Sequence, residues 1–365
     1  MSEIKVNSIK GVGASAAAIT VNNTDGTCTA NITNNLSNRN LIINGAMQVA
    51  QRGTSTTTSG DFGVDRFLVL FSGTDEAPTF AQHALTSSDT GPYAAGFRNS
   101  LHITNGDQSG GAGTNDYIAV DYRLEAQDIA NSGWDYTSSS SFITFSYWIK
   151  SSVSQNFYVT LKTDHGTDQN YAFETGSLTQ DTWTKITKTI PGNSNLQFDN
   201  NNTEGLRFRF LAFRGTDKTS SSYTLNTWGA YSSSARMPDN TPTWYTTNDA
   251  TFEITGVQLE VGSVATDFEH RSFAQELALC QRYCYKHEID QSNGPYAFQY
   301  ESAHKFVQDF FPVTMRTTPS YTITYNTSSP TPYHVNPNMF KAYVSSAYNS
   351  TTPVFMESAI YFAEL

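Results

Sequence analysis

The chain has 365 residues, of which 38% are hydrophobic, 13% aromatic and only 15% charged, and its formal net charge is −11 at pH 7. This length suffices for two or three domains, each with its own core. An acidic chain without a Lys/Arg cluster argues against nucleic acid as a partner, and the lack of an 18-residue apolar run argues against membrane insertion.

The first 40 residues contain short apolar runs at residues 4–6, 18–21 and 30–32, separated by Asn, Thr, Asp and Gly. None of these runs can bury a core alone, because ordering the backbone costs about 1–2 kcal/mol per residue. Two interpretations stay open: the segment becomes ordered on other chains, or it is an unstructured leader. The N-terminus lacks an apolar signal stretch, so we expect synthesis in the cytoplasm without a secretory signal.

Strand patterns dominate residues 62–268, where turn residues separate apolar runs at the spacing of an antiparallel sandwich. The clearest runs are residues 66–71, 101–103, 117–122, 142–149, 157–161, 184–190, 206–211 and 252–261. The strongest alternation places Leu206 and Phe208 on one face of a strand and Arg207 and Arg209 on the other. We therefore predict one large all-β domain in this region.

A short helix is predicted after the last of these strands. Ser272 lies three residues before Gln275, which is the spacing of a capping box. Apolar side chains then recur at spacings of four, three and four residues and form one face: Phe273, Leu277, Cys280 and Cys284. This spacing suits a coiled-coil seam and hence an oligomer interface, and the alternative is a helix packed only on its own β-domain. We interpret the two cysteines as small apolar packing residues, because His287 alone does not complete a metal-ligand set.

Residues 287–365 form a last block with strand-like runs at residues 306–307, 310–313, 320–325, 340–344 and 359–363. About 80 residues can form a small β-domain, but such a domain is marginal by itself. We therefore expect this block to pack against its neighbours.

Two segments carry a resemblance to a known family. Residues 257–286, VQLEVGSVATDFEHRSFAQELALCQRYCYK, are similar to a signature of bacteriophage tail-fibre proteins, many of them from phages of cyanobacteria and other marine bacteria. Residues 40–52 and 64–67 resemble a second segment of the same family. The resemblance implies a virion component that forms a homotrimer, attaches through its N-terminus to a tail, baseplate or adaptor protein, and binds a host surface glycan.

A second resemblance covers residues 142–259, whose strand order is similar to that of carbohydrate-binding modules with a jelly-roll fold. It implies that Trp148 and Trp183 are core residues. Modules of this type often hold a structural calcium ion, but the Asp pair expected near the last strand is missing, so we expect no cofactor and leave the metal open.

The predicted architecture is all-β, with four parts. These are an extended N-terminal attachment segment (residues 1–55), a jelly-roll β-sandwich (56–271), a short helix at the oligomer axis (272–286) and a smaller C-terminal β tip domain (287–365).

Catalytic motifs are missing from the sequence: there is no GxSxG, HExxH or P-loop, and no GxGxxG follows a strand. We interpret Asp164 and His165 as solvated turn residues. The repeats of the long catalytic β-helix found in many phage depolymerases are also missing. We expect a binding protein rather than an enzyme. Two alternatives stay open: a surface-polysaccharide depolymerase, and a structural or adaptor protein that binds only other virion proteins.

Aromatic residues in polar loops are the candidate glycan contacts, since sugars present apolar C–H faces together with many hydroxyls. The candidates are Trp134, Tyr136, Trp228, Tyr231, Trp244, Tyr245, Tyr333, His334 and Tyr348. For each ring the alternative is packing on its own sheet or at a subunit contact. High avidity would then come from several copies binding together.

Overall fold

The computed structural model describes residues 7–10, 12–13, 18–21, 24, 28–30, 39–288, 298–301, 304–325, 330–345 and 356–365. Strands predominate in these residues, and the all-β prediction is confirmed. No helix in these ranges is long and apolar enough to cross a membrane.

Three short strands near the N-terminus form an antiparallel sheet: β1 (Ser8–Ile9), β2 (Ile19–Val21) and β3 (Cys28–Ala30). Many of residues 1–38 lie outside the described ranges. The attachment role of residues 1–40 therefore stays a prediction.

Thirteen strands build the large domain. They are β4 (Ser55–Thr56), β5 (Phe62–Val64), β6 (Phe67–Ser72), β7 (Thr79–Ala84), β8 (Asn99–Thr104), β9 (Tyr117–Glu125), β10 (Phe142–Ser151), β11 (Asn156–Thr163), β12 (Gln169–Ser177), β13 (Thr184–Pro191), β14 (Glu204–Arg214), β15 (Gly229–Ala230) and β16 (Thr251–Val261). A short helix α1 (Ala126–Ala130) follows β9, and a 3-10 turn (Thr216–Lys218) follows β14.

These strands form two antiparallel sheets that face each other as a jelly-roll sandwich. The six-stranded sheet has the order β13-β10-β16-β8-β7-β4, and the seven-stranded sheet has the order β15-β12-β11-β14-β9-β6-β5. The alternation predicted for β14 is confirmed, because Leu206 and Phe208 are buried in the core. Phe145 of β10 stacks on Phe208 across the sandwich, with ring centroids 4.4 Å apart. Each such ring stabilises the fold by about 1.5–3 kcal/mol through burial.

The sandwich begins earlier in the chain than predicted. Ile42 and Met47 are fully buried in its core, although the N-terminal segment was predicted to extend to residue 55. Asn40 fixes this entry, because its Oδ1 accepts hydrogen bonds from the amides of Ile42 and Leu259, each at 3.0 Å. The predicted boundary comes too late because residues 41–50 pack on the core without forming a strand, so a strand pattern could not mark them.

The second helix, α2 (Phe273–Gln281), begins with the predicted capping box. The Gln275 amide donates to Ser272 Oγ at 3.3 Å, and the Ser272 amide donates to Gln275 Oε1 at 3.1 Å. The helix ends before residue 286, because Cys284 already belongs to the next strand.

The predicted oligomer seam does not form one exposed face. Cys280 and Cys284 are fully buried within the subunit, and Leu277 is half-buried. Phe273 is 56% exposed and remains available for a partner. The helix instead turns Glu276 and Cys280 inward, where the Glu276 carboxylate accepts a hydrogen bond from the Asn44 amide.

Seven strands in two sheets form the part of the C-terminal domain that the structure describes. They are β17 (Cys284–Glu288), β18 (Phe298–Glu301), β19 (His304–Phe310), β20 (Ser320–Tyr325), β21 (Thr331–Asn336), β22 (Met339–Ser345) and β23 (Met356–Phe362). The sheet orders are β17-β23-β20 and β18-β19-β22-β21. Val307, Phe340 and Tyr361 belong to a separate small core. The run predicted at residues 310–313 leaves the strand after Phe310.

Ion pairs join this domain to the sandwich, at a contact that we call the junction. The Glu364 carboxylate pairs with both Arg52 and Arg66, and the Glu125 carboxylate accepts from Arg282 Nε and Nη2, each at 2.8 Å. The predicted packing of the last block against its neighbours is thus explained by charged groups that neither domain could bury alone.

Candidate functional site

Four of the predicted glycan-binding rings are in the sandwich core and are at most 7% exposed: Trp134, Trp228, Trp244 and Tyr245. Trp228 Nε1 donates to the Pro191 carbonyl and Trp244 Nε1 to the Thr251 carbonyl, both at 2.8 Å. The prediction is wrong for these four rings, because their loops fold back onto the sandwich and leave no ring face for a sugar.

The other predicted rings are dispersed. Tyr136 is half-buried against the same core, and Tyr231 is half-buried beside the seven-stranded sheet. Tyr333 is 66% exposed and His334 is exposed, but both lie on β21 rather than in the predicted turn. Tyr348 lies outside the described residues.

A cleft on the outer face of the six-stranded sheet has the size and chemistry of a small-ligand site. Its volume is about 350 Å³, which falls in the usual range for ligand pockets. We call it the Trp148 cleft, and its lining residues are Ala95, Phe97, Ser146, Trp148, Lys185, Gly256, Asp267, Phe268 and His270. Trp148 is half-buried on this outer face, so its assignment to the core is wrong, whereas Trp183 is buried as expected.

Strand pairing places aromatic and charged groups side by side in the cleft. Trp148 of β10 pairs directly with Lys185 of β13, and side chains at paired positions are neighbours on one face of the sheet. Phe97, Phe268 and His270 pack together with centroid distances of 4.8–5.2 Å and form the opposite wall.

Backbone geometry holds this arrangement in place. Gly256 has φ +63°, and a Cβ there would lie 2.7 Å from Phe97 Cζ and 3.1 Å from Trp148 Cδ1. Only glycine accommodates both the left-handed backbone and the two rings. The register between β10 and β16 also shifts between Ser146 and Trp148, which is typical of a bulge that redirects a side chain.

Polar groups at the cleft remain available for a ligand. The Lys185 ammonium and the Asp267 carboxylate are exposed, and among the described residues they form neither a hydrogen bond nor an ion pair with another side chain. His270 is anchored, with Nε2 2.9 Å from the Ala95 carbonyl oxygen. An aromatic ring beside an unpaired cation and an unpaired anion can bind both the C–H face and the hydroxyls of a sugar.

A charged cluster lies on the same sheet. His83, His102 and Glu253 place ligand atoms within 4.8 Å of one another. Two imidazoles and one carboxylate would suit a transition metal better than calcium, which takes six to eight oxygen ligands. However, Lys150 Nζ lies 2.8 Å from Glu253 Oε1 and already neutralises it. Burial opposes ionisation of Glu253, but hydrogen bonds from His102 and Lys150 outweigh this and lower its pKa to about 2.

Asp164 and Glu204 are a pair of neighbouring carboxyl groups of the kind that a depolymerase would use. Burial and a hydrogen bond with Asp164 raise the pKa of Glu204 to about 7, while hydrogen bonds and nearby cations lower the pKa of Asp164. The acid and nucleophile of a retaining glycosidase stand about 5–5.5 Å apart. Arg207 bridges the two carboxyl groups, since its Nη2 lies 2.6 Å from Glu204 Oε1 and 3.5 Å from Asp164 Oδ2.

The alternation of residues in β10 could have predicted that Trp148 faces outward. In β10, Phe145, Tyr147 and Ile149 are buried in the core. The alternation of a strand therefore points Trp148 outward. The resemblance to jelly-roll modules led to the core assignment, and the alternation was the better guide.

No protein-family model and no curated protein matches this sequence. Among solved structures, a putative sugar-binding protein from Bacteroides thetaiotaomicron is similar over 61% of this chain and 99% of that one, with 11% identity and a TM-score of 0.33. The enzymatically active domain of tailspike protein 4 from bacteriophage CBA120 is similar over 61% of this chain but only 21% of that one, with 8% identity and a TM-score of 0.31. The tripod from the baseplate of bacteriophage Tuc2009 is similar over 94% of this chain and 96% of that one, with 13% identity and a TM-score of 0.31.

Proposed function

We propose that this chain is a receptor-binding protein of a phage tail and that the Trp148 cleft holds a saccharide of the host surface. The observation that carries the binding proposal is a half-buried indole in a cleft, beside Lys185 and Asp267, which have no side-chain partner among the described residues. The indole would stack on the C–H face of a sugar ring, and the two charged groups would bind its hydroxyls.

The tail-fibre part of the proposal is supported by where the two family-like segments lie. Residues 40–52 and 257–286 are far apart in sequence but meet at the junction, where the Gln51 amide group donates to the Cys284 carbonyl. Asn40 and Asn44 contact the same second segment through Leu259 and Glu276. The similar sequence therefore forms one structural unit that connects the two domains.

Attachment through weak sugar contacts requires several copies. A single cleft contributes few hydrogen bonds, and linked copies raise the overall avidity without new contacts. We propose a homotrimer in which Phe273 and Leu279, both exposed on α2, contact neighbouring subunits. Residues 1–40 would attach the trimer to a tail, baseplate or adaptor protein, which makes the chain a virion component.

The first experiment is a glycan array probed with the full chain, in parallel with Trp148→Ala and Lys185→Ala. Loss of the stacking ring should weaken binding about tenfold. Lys185→Ala should weaken it as well, and because Lys185 is exposed this variant should fold normally. Lys218→Ala removes one positive charge elsewhere and serves as the matched control, with Phe310→Ala as a control for an exposed ring outside the candidate contacts.

Two further measurements separate the alternatives. Release of reducing ends from the bound polysaccharide would identify a depolymerase. Capture of purified virion proteins, without binding to any glycan or to host cells, would identify a structural or adaptor protein. Array binding that is unchanged in both cleft variants would reject the Trp148 cleft as the site.

A further inference from the structure

A second polar pocket lies on the opposite side of the sandwich, on the outer face of the seven-stranded sheet. Five basic side chains line it: Lys162, Arg207, Arg209, Arg214 and Arg236. This concentration of positive charge stands out in a chain whose net charge is −11. We call it the arginine pocket.

Arg209 has its carboxylate partner on the neighbouring strand. Its Nη2 donates to Asp121 Oδ2 at 2.7 Å, and its Nε donates to the other oxygen of the same carboxylate. This two-point pair fixes the guanidinium and neutralises it.

Arg207 and Lys162 are also neutralised by the chain itself. Arg207 Nε donates to Glu204 Oε1 at 2.6 Å, and its Nη2 lies 3.5 Å from Oδ2 of Asp164, whose lowered pKa keeps it ionised. Lys162 Nζ lies 2.7 Å from Asp168 Oδ2.

Arg214 and Arg236 differ from the other three. Within the described part of the chain, neither guanidinium has a carboxylate partner, and the Nε of each is buried without a hydrogen bond. Arg214 is only 7% exposed. Burial and repulsion from Arg236 lower the pKa of Arg214 to about 10, so it still carries its charge at neutral pH. Burying an unpaired charge is costly, and such a charge at a pocket marks a candidate binding group.

The backbone around Arg236 is anchored before any ligand arrives. The Asn170 side-chain amide donates to the Arg236 carbonyl at 2.8 Å, and the Arg236 amide donates to the Lys218 carbonyl at 2.9 Å. Arg214 in turn lies 4.6 Å from the centroid of the Tyr117 ring. The Arg236 backbone and the Arg214 guanidinium are therefore positioned before binding, which lowers the conformational cost of ordering them on a ligand.

The size of the cavity limits what can enter it. Its volume is about 40 Å³, and one water needs roughly 10–15 Å³ on this measure. A carboxylate fits, whereas a whole sugar ring does not. The half-buried ring of Tyr231 also lines the pocket, 5.4 Å from the Arg236 guanidinium carbon, and offers a surface for the ring that would carry the carboxylate.

We propose that the arginine pocket binds a uronic-acid residue of an acidic polysaccharide. The carboxylate enters between Arg214 and Arg236, whose planar donor groups match its two oxygens, and the pyranose ring packs against Tyr231. This site is separate from the Trp148 cleft and adds acidic sugars to the ligands of the chain.

The test uses the full chain and calorimetric titration with oligosaccharides of glucuronic, galacturonic and mannuronic acid, each paired with its carboxyl-reduced counterpart. We expect at least one acidic member to bind and its reduced counterpart to bind at least tenfold more weakly. Arg214→Met and Arg236→Met should each weaken binding roughly tenfold to hundredfold, while the midpoint of thermal unfolding stays the same or rises, because each removes an unpaired charge. Arg209→Met is the contrast, since it breaks a satisfied pair and should lower the unfolding midpoint.

Other outcomes separate this inference from the proposed function. Equal binding of acidic and reduced forms, no binding of any acidic member, or full binding by the Arg214 and Arg236 variants would overturn the uronate site. A sulfated neutral tetrasaccharide is titrated alongside; if it alone binds, the pocket recognises sulfate esters and the uronate site is also overturned. If Trp148→Ala abolishes binding of the acidic members and Arg214→Met does not, the cleft is the site and this inference fails while the proposed function stands.

Discussion

Replacing Glu364 by Ala should destabilise both domains, because this one carboxylate neutralises two buried guanidinium groups at the junction. Arg66, Arg52 and Glu364 have side chains that are 2%, 7% and 11% exposed. Without Glu364, both guanidinium groups stay charged in a site with little water, because an arginine side chain does not lose its proton in proteins.

The expected loss of unfolding free energy depends on the contacts that the two arginines retain without Glu364. Removing one partner of a buried ion pair costs about 3–5 kcal/mol. Arg66 retains a hydrogen bond to the Arg123 carbonyl at 2.6 Å, and Arg52 remains 3.9 Å from the Phe62 ring. We therefore expect the lower end of the range, about 3 kcal/mol. With a urea m-value of about 3 kcal/mol/M, this lowers the midpoint by about 1 M.

The assay is urea unfolding followed by tryptophan fluorescence and far-UV circular dichroism. All five tryptophans lie at residues 134–244, so fluorescence reports on the sandwich and circular dichroism on both domains. Glu174→Gln, which changes an exposed carboxylate, is the control. A Glu364→Ala midpoint equal to that of the control would refute the role assigned to the junction.

Three further predictions concern other parts of the chain. The pKa of Glu253 is lowered from its unfolded value of 4.5 to about 2. The stability that ionised Glu253 gives the folded state is therefore complete above pH 4.5 and is lost as the pH falls toward 2. From urea unfolding at each pH, the wild type should lose about 3 kcal/mol more unfolding free energy than Glu253→Gln between pH 4.5 and pH 2. Equal losses in the two proteins would contradict this. Gly256→Ala should lower the thermal midpoint and weaken cleft binding through its clash with Phe97, whereas Gly229→Ala, which has open space around it, should do neither. Wild type should be trimeric at micromolar concentration by light scattering and Phe273→Asp should be monomeric with an unchanged thermal midpoint; a monomeric wild type would end the trimer proposal.

Local patterns predicted the strands of the sandwich well. All eight runs named from the sequence overlap observed strands of this domain, and the capping box of α2 is confirmed, because alternation and capping depend on neighbours in sequence. Five strands of this domain were missed: β7 and β12 mix polar residues into both faces, and β4, β5 and β15 have only two or three residues each.

Long-range packing was not predictable in the same way. The burial of Trp244 depends on partners distant in sequence, such as Gln155 just before β11, whose Oε1 accepts a hydrogen bond from the Trp244 amide at 2.9 Å. The unpaired charge of Arg214 was equally unpredictable, because it is evident only once the structure shows that the nearby carboxylates pair with other basic side chains. Residue type alone cannot distinguish a loop ring that contacts sugar from one that closes a core.

The most direct test of the central claim is a crystal structure of the full chain soaked with its best ligand from the glycan array. We predict a sugar ring stacked on Trp148 at a separation of about 4 Å, with Lys185 or Asp267 within hydrogen-bond distance of a hydroxyl. Saccharide bound only elsewhere on the chain, with no density beside Trp148, would contradict the account.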